Sequence, residues 1–527
     1  MIAEGQGYTI LYFLDYGKSF GGAVNALLQQ AVLMKQMGHN VIIFFSDYYG
    51  TEMETGYRKI CNDLGLTWEW ETYQIASQPE DIDILCIIKN YDVLRKKIMS
   101  HCPDILHSVQ INAGVELISR ELKIPHIMNI YQLIPDFFSI NYINIFPRYH
   151  ICDSWYFAQK WNYYLGTDSM CVRTVVRENR VDRSFSKQAL NYICAGSVEE
   201  RKNQLAVIMA FHRALDYGMQ GKLTLYGYAD GQYADRCIRY VEQNNLGERV
   251  NIAGFCPDMK QKYAESDVLI CGSRVESYPN VISEAMANGL AIISTPVAGV
   301  PEIIKDGING YLTDSYSVDA IYEKIRELDR DCDNGHIEEI LLKMKESYQK
   351  YHTPESVSDQ LAACYHHVME DYQRNKYIFG EKLPQIEEIR NTFKSLYDEF
   401  VQYENNFSDP LKISPKLWYF FHIKQRIKKK YNASSEVYIW GTGKYGVVVK
   451  EMLDAFLPEV DISGYLDSDR EDCFLEYKVY KPDEVIKRKN VIVFVAAFNG
   501  QGEIVESLKN ADKVFNRDYF ILAPRSW

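Results

Sequence analysis

"SRVESYPNVISEAMANGLAIISTPVAGVPEII", residues 273–304, holds two glutamates eight positions apart, Glu276 and Glu284, on either side of a Pro-Asn step. The apolar run "DVLICGS" (267–273) ahead of it reads as a buried strand. "YPNVISEAMANG" (278–289) then reads as a helix, with Pro279 in its first turn and Gly289 at its C-terminal end. Glu276 therefore falls at the carboxyl end of a strand, and Glu284 one turn inside the helix, four residues after Asn280. Ligands bind at the carboxyl ends of strands in open parallel sheets, and the free N–H groups of the next helix favour an anion. At this spacing both carboxylates can face one crevice, each offering two acceptor oxygens to paired hydroxyls. Taken alone, the pair would read as a loop glutamate and a solvated helix residue; the surrounding pattern argues otherwise.

That pattern is a strand, a glycine loop and a helix, met three times. The first unit runs "YTILYFLDY" (8–16), "GKSFGGA" (17–23), "VNALLQQAVLMKQMG" (24–38) and "NVIIFF" (40–45). The second begins at "LNYICAGSVEERKNQLAVIMAFHRAL" (190–215) and continues through "KLTLYG", "RVNIAGF", "DVLICGS" and "LAIIST". The third is "EVYIWGTGKYGVVVKEMLDAF" (436–456). Short β-rich runs alternating with helix-period segments predict an α/β protein of parallel sheets covered by helices. Four regions result: 1–184 and 185–370, each a Rossmann-like domain, a polar helical linker over 371–433, and a small Rossmann-like domain over 434–527.

At 527 residues the chain is too long for a single core. Hydrophobic residues make up 47% and charged residues 24%, which is ordinary globular composition. A formal charge of −13 argues against a nucleic-acid partner, so any phosphate must be held by local groups. Twelve cysteines show no C-x-x-C pair, which points away from a zinc or dithiol site and toward reduced thiols in a cytoplasmic protein. The opening "MIAEGQGYTILYFLDYG" lacks a basic n-region and reads as a first strand, not a signal peptide. No apolar run approaches the ~20 residues of a membrane span.

In order and spacing these segments resemble the retaining family 4 glycosyltransferases of GT-B fold, over about residues 8 to 370. The resemblance is carried by "GGAVNALLQQAVLMKQMGHNV" (21–41), "PDILH" (103–107), "KNQLAVIMAF" (202–211), "LTLYGYADG" (223–231) and "LGERVNIAGF" (246–255). The Glu276/Glu284 pair, "EAMANGLAIIST" (284–295) and "AGVPEIIKDGINGYL" (298–312) complete it. It implies two Rossmann-like domains facing a cleft, with the acceptor on the first and a nucleotide-diphosphate-sugar on the second. It further implies a metal-independent transfer of hexosyl type to a glycan, glycolipid or glycoprotein, as in polysaccharide biosynthesis, with no cofactor required. In that scheme Glu284 holds the donor's ribose hydroxyls, Glu276 contacts the donor sugar and Lys202 neutralises the diphosphate. Backbone at Tyr278, Pro279 and Asn280 approaches sugar and phosphates, and Gly21 and Gly22 let the opposite backbone come near the reaction centre. Glu276 and Lys202 are the residues expected to carry catalysis.

Two positions depart from the family. In "AGSVEERKN" (195–203) Ser197 stands where a basic residue is expected, with Arg201 beside Lys202 as a substitute. In "IPHIMNIYQL" (124–133) Tyr131 or Gln132 stands where many members place a histidine. His107 reads as a packing or loop residue, not a catalyst. These departures keep two other readings open: a catalytically silent GT-B partner or scaffold, and a GT-B enzyme that isomerises or phosphorolyses sugars.

"VYIWGTGKYG" places Gly441, Gly443 and Gly446 between a strand and a helix, with Asp467 at the end of the next strand. This is the context of a dinucleotide fingerprint and makes a second nucleotide or dinucleotide site one expectation. A packing or oligomerisation module is the other, and the remaining length suits half a Rossmann fold. "KLWYFFHIKQRIKKKY" (416–431) mixes Trp418, Phe420 and Phe421 with a run of bases. It reads either as a peripheral contact with anionic lipid at the inner membrane surface, or as a linker helix with packed aromatics and solvated bases.

Overall fold

The computed structural model describes residues 7–14, 22–47, 54–76, 82–131, 147–179, 185, 189–375, 424, 426–470, 472–497, 500–515 and 517–522. Gly21, Gln132 and nearly all of the linker, including Trp418, Phe420 and Phe421, lie outside the described residues.

The first lobe is a seven-stranded, all-parallel sheet. Its strands are β1 (Thr9–Leu14), β2 (Asn40–Ser46), β3 (Thr67–Glu71), β4 (Ile105–Val109), β5 (His126–Asn129), β6 (Tyr149–Cys152) and β7 (Asp168–Cys171), in the order β3-β2-β1-β4-β5-β6-β7. Ile10 to Leu14 are all fully buried, which explains why β1 reads as an unbroken apolar run: helices cover both of its faces.

The second lobe repeats the plan with β8 (Leu190–Ala195), β9 (Gly221–Tyr226), β10 (Val250–Gly254), β11 (Val268–Cys271), β12 (Ala291–Ser294) and β13 (Tyr311–Leu312), ordered β10-β9-β8-β11-β12-β13 and again parallel. In each lobe the strand order reverses beside the first strand, between β1 and β4 and between β8 and β11. A crevice opens at such a reversal because the two following connections run to opposite faces. Lys202 follows β8 and Glu276 follows β11, so both come from strands that flank the second lobe's reversal.

The helix Pro354–Asn375 leaves the second lobe and packs on the first. Its Val357, Leu361, Cys364, Tyr365 and Val368 are buried in the same apolar cluster as β1 and β4. The Tyr365 hydroxyl meets that of Tyr12 at 2.7 Å and also bonds His107 Nδ1, while Asp371 accepts from the Tyr149 hydroxyl at 2.8 Å.

The third unit is fuller than half a Rossmann fold. Five parallel strands, β14 (Glu436–Trp440), β15 (Gly464–Leu466), β17 (Tyr477–Tyr480), β18 (Val491–Val495) and β19 (Tyr519–Ile521), are joined by the antiparallel edge β16 (Cys473–Phe474). Strands as short as three residues let this fit in about 90 positions. Of the basic stretch, Ile427 is fully buried, and Lys428 and Lys430 pair with Glu459 at 2.7 Å and Asp518 at 3.0 Å. These two bases are therefore tied to the third unit while their side chains stay 41% and 31% exposed. Among the described residues, no helix is long and apolar enough to cross a membrane.

Candidate functional site

The helix Asn280–Asn288 begins two residues later than the sequence pattern suggests. Pro279 is its N-cap, with φ −66° and ψ 117°, and does not lie in its first turn. A proline cannot cap with a side-chain oxygen, so no side chain of the cap satisfies the first-turn N–H groups. Gly289, at φ 73°, ends the helix in the left-handed conformation that glycine adopts without strain.

A cavity of about 280 Å³ lies against this uncapped end, lined from the second lobe by Lys202, Glu276, Pro279 and Asn280 and from the first by Gly22, Tyr131 and Asp153. A neighbouring cavity of about 340 Å³ is lined by Asn25, Gln29, Arg177, Asn280 and Glu284. Gly22, Ala26, Thr174 and Asn280 border both. The two glutamates thus serve adjoining compartments on either side of Asn280.

Glu276 is the electrostatic centre of the first compartment. It forms an ion pair with Lys202 Nζ, a second with Arg201 Nη1 at 3.2 Å, and accepts from the Ser273 hydroxyl at 3.2 Å. Arg201 also pairs with Glu199 at 2.6 Å, which holds the guanidinium beside Lys202. Ser197, by contrast, is exposed, and its carbonyl accepts from Gln204 Nε2 at 2.7 Å. Two cations therefore stand near the expected phosphate position, both delivered by the Glu200–Lys202 turn after β8.

Glu284 accepts a hydrogen bond from the Tyr263 hydroxyl at 2.6 Å, and burial raises its carboxyl above the usual glutamate range while that hydrogen bond opposes the rise. Tyr278 turns its ring away from solvent, stacked on His352 at 5.7 Å and under the Arg173 guanidinium at 5.4 Å. What it offers the cavity is its backbone. Gly22 starts its helix so close to the second lobe that a β-carbon there would lie 3.0 Å from Asn280 Nδ2. The Tyr131 hydroxyl accepts from Asn129 Nδ2 at 2.7 Å, and burial pushes its ionisation well above the ordinary range. His107 is a core residue of β4, not a loop residue. Burial drops its pKa to about 3, and its ring bonds Tyr365 and, at 2.7 Å, Asn129.

The residues that join the lobes escape the sequence reading. Asp153 follows β6, 5% exposed, and accepts from the Ser277 hydroxyl across the cleft. Glu302 of the second lobe accepts from the Trp155 and Tyr156 amides at 3.0 and 2.7 Å, binding the positive end of the helix Trp155–Leu165, and also pairs with Arg173. Arg173 donates to the Asp153 carbonyl at 2.6 Å. A β-carbon at Gly299 would sit 2.4 Å from Ser154 Cβ, so the lobes touch there with no room for a methyl group. Gly299→Ala is expected to lower the melting temperature and enlarge the radius of gyration in solution scattering, since overpacking costs about 1–3 kcal/mol unless the lobes part.

Burial raises the Asp153 carboxyl to about 7, against the pull of Ser277 and Arg173 and with a further push from Glu276. The folded chain therefore binds this proton more tightly than the unfolded chain does. Its contribution to stability is complete below the ordinary value of 3.8 and is lost as pH rises through about 7. Asp153→Asn, which cannot ionise, is expected to gain melting temperature relative to wild type between about pH 5 and about pH 8. Thermal scans at the two pH values check this.

In the third unit, Gly441 (φ 126°) and Gly446 are required by packing: β-carbons there would lie 2.8 Å from Ala497 N and 2.2 Å from Gly441 O. Gly443 is the N-cap of Lys444–Phe456 and faces open space. Asp467 accepts from the Thr442 hydroxyl at 2.6 Å and from the Asp469 and Arg470 amides at 2.9 and 3.2 Å. Its carboxylate thus closes the glycine loop onto the β15 end. Among the described residues, no group of three or more His, Cys, Asp or Glu is placed to hold a metal ion.

Residues 175–338 match the family model described as glycosyl transferases group 1. The N-acetyl-alpha-D-glucosaminyl L-malate synthase of Bacillus anthracis is 28% identical over 174 residues, 32% of this chain and 43% of that protein. The Vi polysaccharide biosynthesis protein VipC/TviE of Salmonella typhi is 32% identical over 113 residues, 21% of this chain and 19% of that one. The chain thus spans less than half the length of these curated relatives. Among solved structures, a glycosyltransferase from Rickettsia africae ESF-5 superposes with a TM-score of 0.58 at 15% identity, covering 69% of this chain and 99% of that one. Anabaena Alr3699/HepE in complex with UDP-glucose gives 0.54 at 17% identity, covering 68% and 100%. The architecture is GT-B with an added C-terminal sheet domain, and the match to the glycosyl transferases group 1 model falls on residues 175–338, mostly in its second lobe.

Proposed function

We propose that the chain transfers a sugar, with retention at the anomeric carbon, from a nucleotide-diphosphate-sugar to a glycan, glycolipid or glycoprotein acceptor. The carrying observation is the Lys202–Glu276 pair on the wall of the inter-lobe cavity, against a helix N-terminus whose cap residue, Pro279, makes no side-chain hydrogen bond to it. As the glycosidic bond breaks, negative charge grows on the diphosphate. Lys202, Arg201 and the N–H groups of the helix Asn280–Asn288 are fixed in advance where that charge would develop, which is electrostatic catalysis. A diphosphate that takes Lys202 releases Glu276 to orient the sugar ring, while Glu284 in the adjoining compartment holds the ribose hydroxyls. The leaving phosphate accepts the proton of the attacking hydroxyl on the same face, and the lobe contacts through Glu302 and Asp153 keep competing water out.

The division into 1–184, 185–370, 371–433 and 434–527 belongs to the same proposal, with the first region taking the acceptor. So do metal independence, a cytoplasmic setting beside the membrane through 416–431, and a nucleotide in the third unit. UDP complexes of the structural neighbour Alr3699/HepE support the choice of donor class.

The deciding experiment is a thermal-shift and calorimetric screen of UDP, GDP and ADP with their sugar conjugates, followed by nucleotide-release assays with and without EDTA. A bound diphosphate raises the melting temperature because it binds only the native state. Binding by none of them removes the proposal, and binding without any nucleotide release from a sugar conjugate favours the silent scaffold that the exposed Ser197 suggests.

A further inference from the structure

The roles above leave one carboxyl of the central cavity without substrate. Asp153 reaches the cavity wall from the first lobe, beside Tyr131 and opposite Glu276 and Lys202. Its carboxyl bonds the Ser277 hydroxyl, in the loop just ahead of the helix Asn280–Asn288, and its own backbone. An ionised carboxylate has about four acceptor positions, so capacity remains toward the cavity. The neighbouring guanidinium of Arg173 donates to the Asp153 backbone carbonyl and to Glu302 instead of to this carboxyl.

The charge count in the cavity follows. Among the described residues that line it, Lys202 is the one cation, against two carboxyl groups, Glu276 and Asp153. Arg201 also pairs with Glu276, at 3.2 Å; once a diphosphate engages both Lys202 and Arg201, no cation of the lining is left to face a charged sugar substituent. Hydroxyl groups fit such a wall as hydrogen-bond donors; a sugar carboxylate would meet like charge in a site shielded from water. Burial is the main cause that raises the Asp153 carboxyl to about 7, and Glu276 adds a smaller push in the same direction.

We propose that Asp153 is a specificity-determining residue that receives a hydroxyl hydrogen of the donor's sugar ring, so that the site accepts an uncharged hexosyl group and rejects a uronosyl one. The inference rests on the nucleotide-sugar reading of the cleft and adds to it the residue that discriminates by the sugar's charge. The Ser277 hydroxyl bonds the Asp153 carboxyl, and Glu276, the residue before Ser277, lines the same cavity.

The test is calorimetry on the full chain with UDP, UDP-glucose and UDP-glucuronate, and with GDP, GDP-mannose and GDP-mannuronate, for wild type, Asp153→Asn and Asp153→Ala. Wild type is expected to bind the hexose conjugate about tenfold more tightly than its uronate counterpart. Asp153→Asn should keep the free diphosphate within about twofold while narrowing the hexose preference to about threefold or less, because amide replaces charge at constant shape. Asp153→Ala should keep the free diphosphate similarly and weaken the hexose conjugate. An unchanged hexose preference in both variants overturns the inference while the nucleotide-sugar reading stands. Equal weakening of diphosphate and conjugates overturns it too, since that is the mark of a damaged fold. If wild type binds neither diphosphate, the broader reading has failed and this one with it.

Discussion

Lys202→Ala is expected to lower kcat for sugar transfer by about a hundredfold to a thousandfold, the range found when one preorganised donor is removed from a site of developing charge. The effect should fall on kcat more than on KM, because the lysine's contact strengthens as the bridging oxygen takes on charge. The same change leaves Glu276, only 13% exposed at its side chain, with Arg201 as its remaining cation at 3.2 Å. A partly buried carboxylate that loses its partner destabilises the fold. A lower melting temperature should therefore accompany the kinetic loss, and bound diphosphate should not restore it fully. Lys202→Arg separates charge from shape: it keeps the cation but replaces a compact ammonium with a planar fork, and is expected to recover stability before turnover. Steady-state kinetics and thermal scans on the three proteins check both halves; a Lys202→Ala enzyme with normal kcat would move the diphosphate elsewhere.

Glu284→Ala is expected to act on binding instead. A pair of hydroxyls donating to an ionised carboxylate is worth about 1.5–3 kcal/mol, so the dissociation constant for a nucleoside diphosphate should rise about tenfold to a hundredfold. Once the donor is saturating, kcat should change by less than about threefold, because a ribose contact is made alike in ground and transition states. The Tyr263 hydroxyl loses its 2.6 Å acceptor in the variant. Glu284→Gln keeps an acceptor for the tyrosine and removes the charge. If the charge is what the ribose uses, Glu284→Gln should bind nearly as weakly as Glu284→Ala while melting closer to wild type. A dissociation constant unaltered in both variants would place the ribose away from the second compartment.

What could be read from the chain and what could not divides along sequence distance. Strand, glycine loop and helix are local patterns, so β8 to β12 and the Glu276/Glu284 pair follow from residues within a few turns of one another. The fold reading holds for the same reason: burial on both faces makes parallel strands apolar throughout. Asp153 and Ser277 are 124 positions apart, and Glu302 and Trp155 are 147 apart. Neither pair has a local signature, and Asp153 hides next to Ser154, whose role as N-cap already accounts for a polar dipeptide at a strand-to-helix junction. Pro279 lies one step outside the helix because its position at N1 and its position at the cap look alike in sequence. The third unit was underestimated because β16 and β19 have two and three residues, too few to show alternation.

The return of Pro354–Asn375 to the first sheet fixes an order of assembly. Tyr12 and His107 emerge from the ribosome early, yet the hydroxyl that both of them meet is on Tyr365, 353 and 258 residues downstream. Until that segment arrives, part of one buried face of the N-terminal sheet has no cover, and its exposed apolar strip invites chaperone capture or self-association. Any chimera that grafts this first lobe onto a foreign second lobe must therefore carry two separated pieces of chain, the second being the closing helix, or it will begin translation with a half whose face stays uncovered.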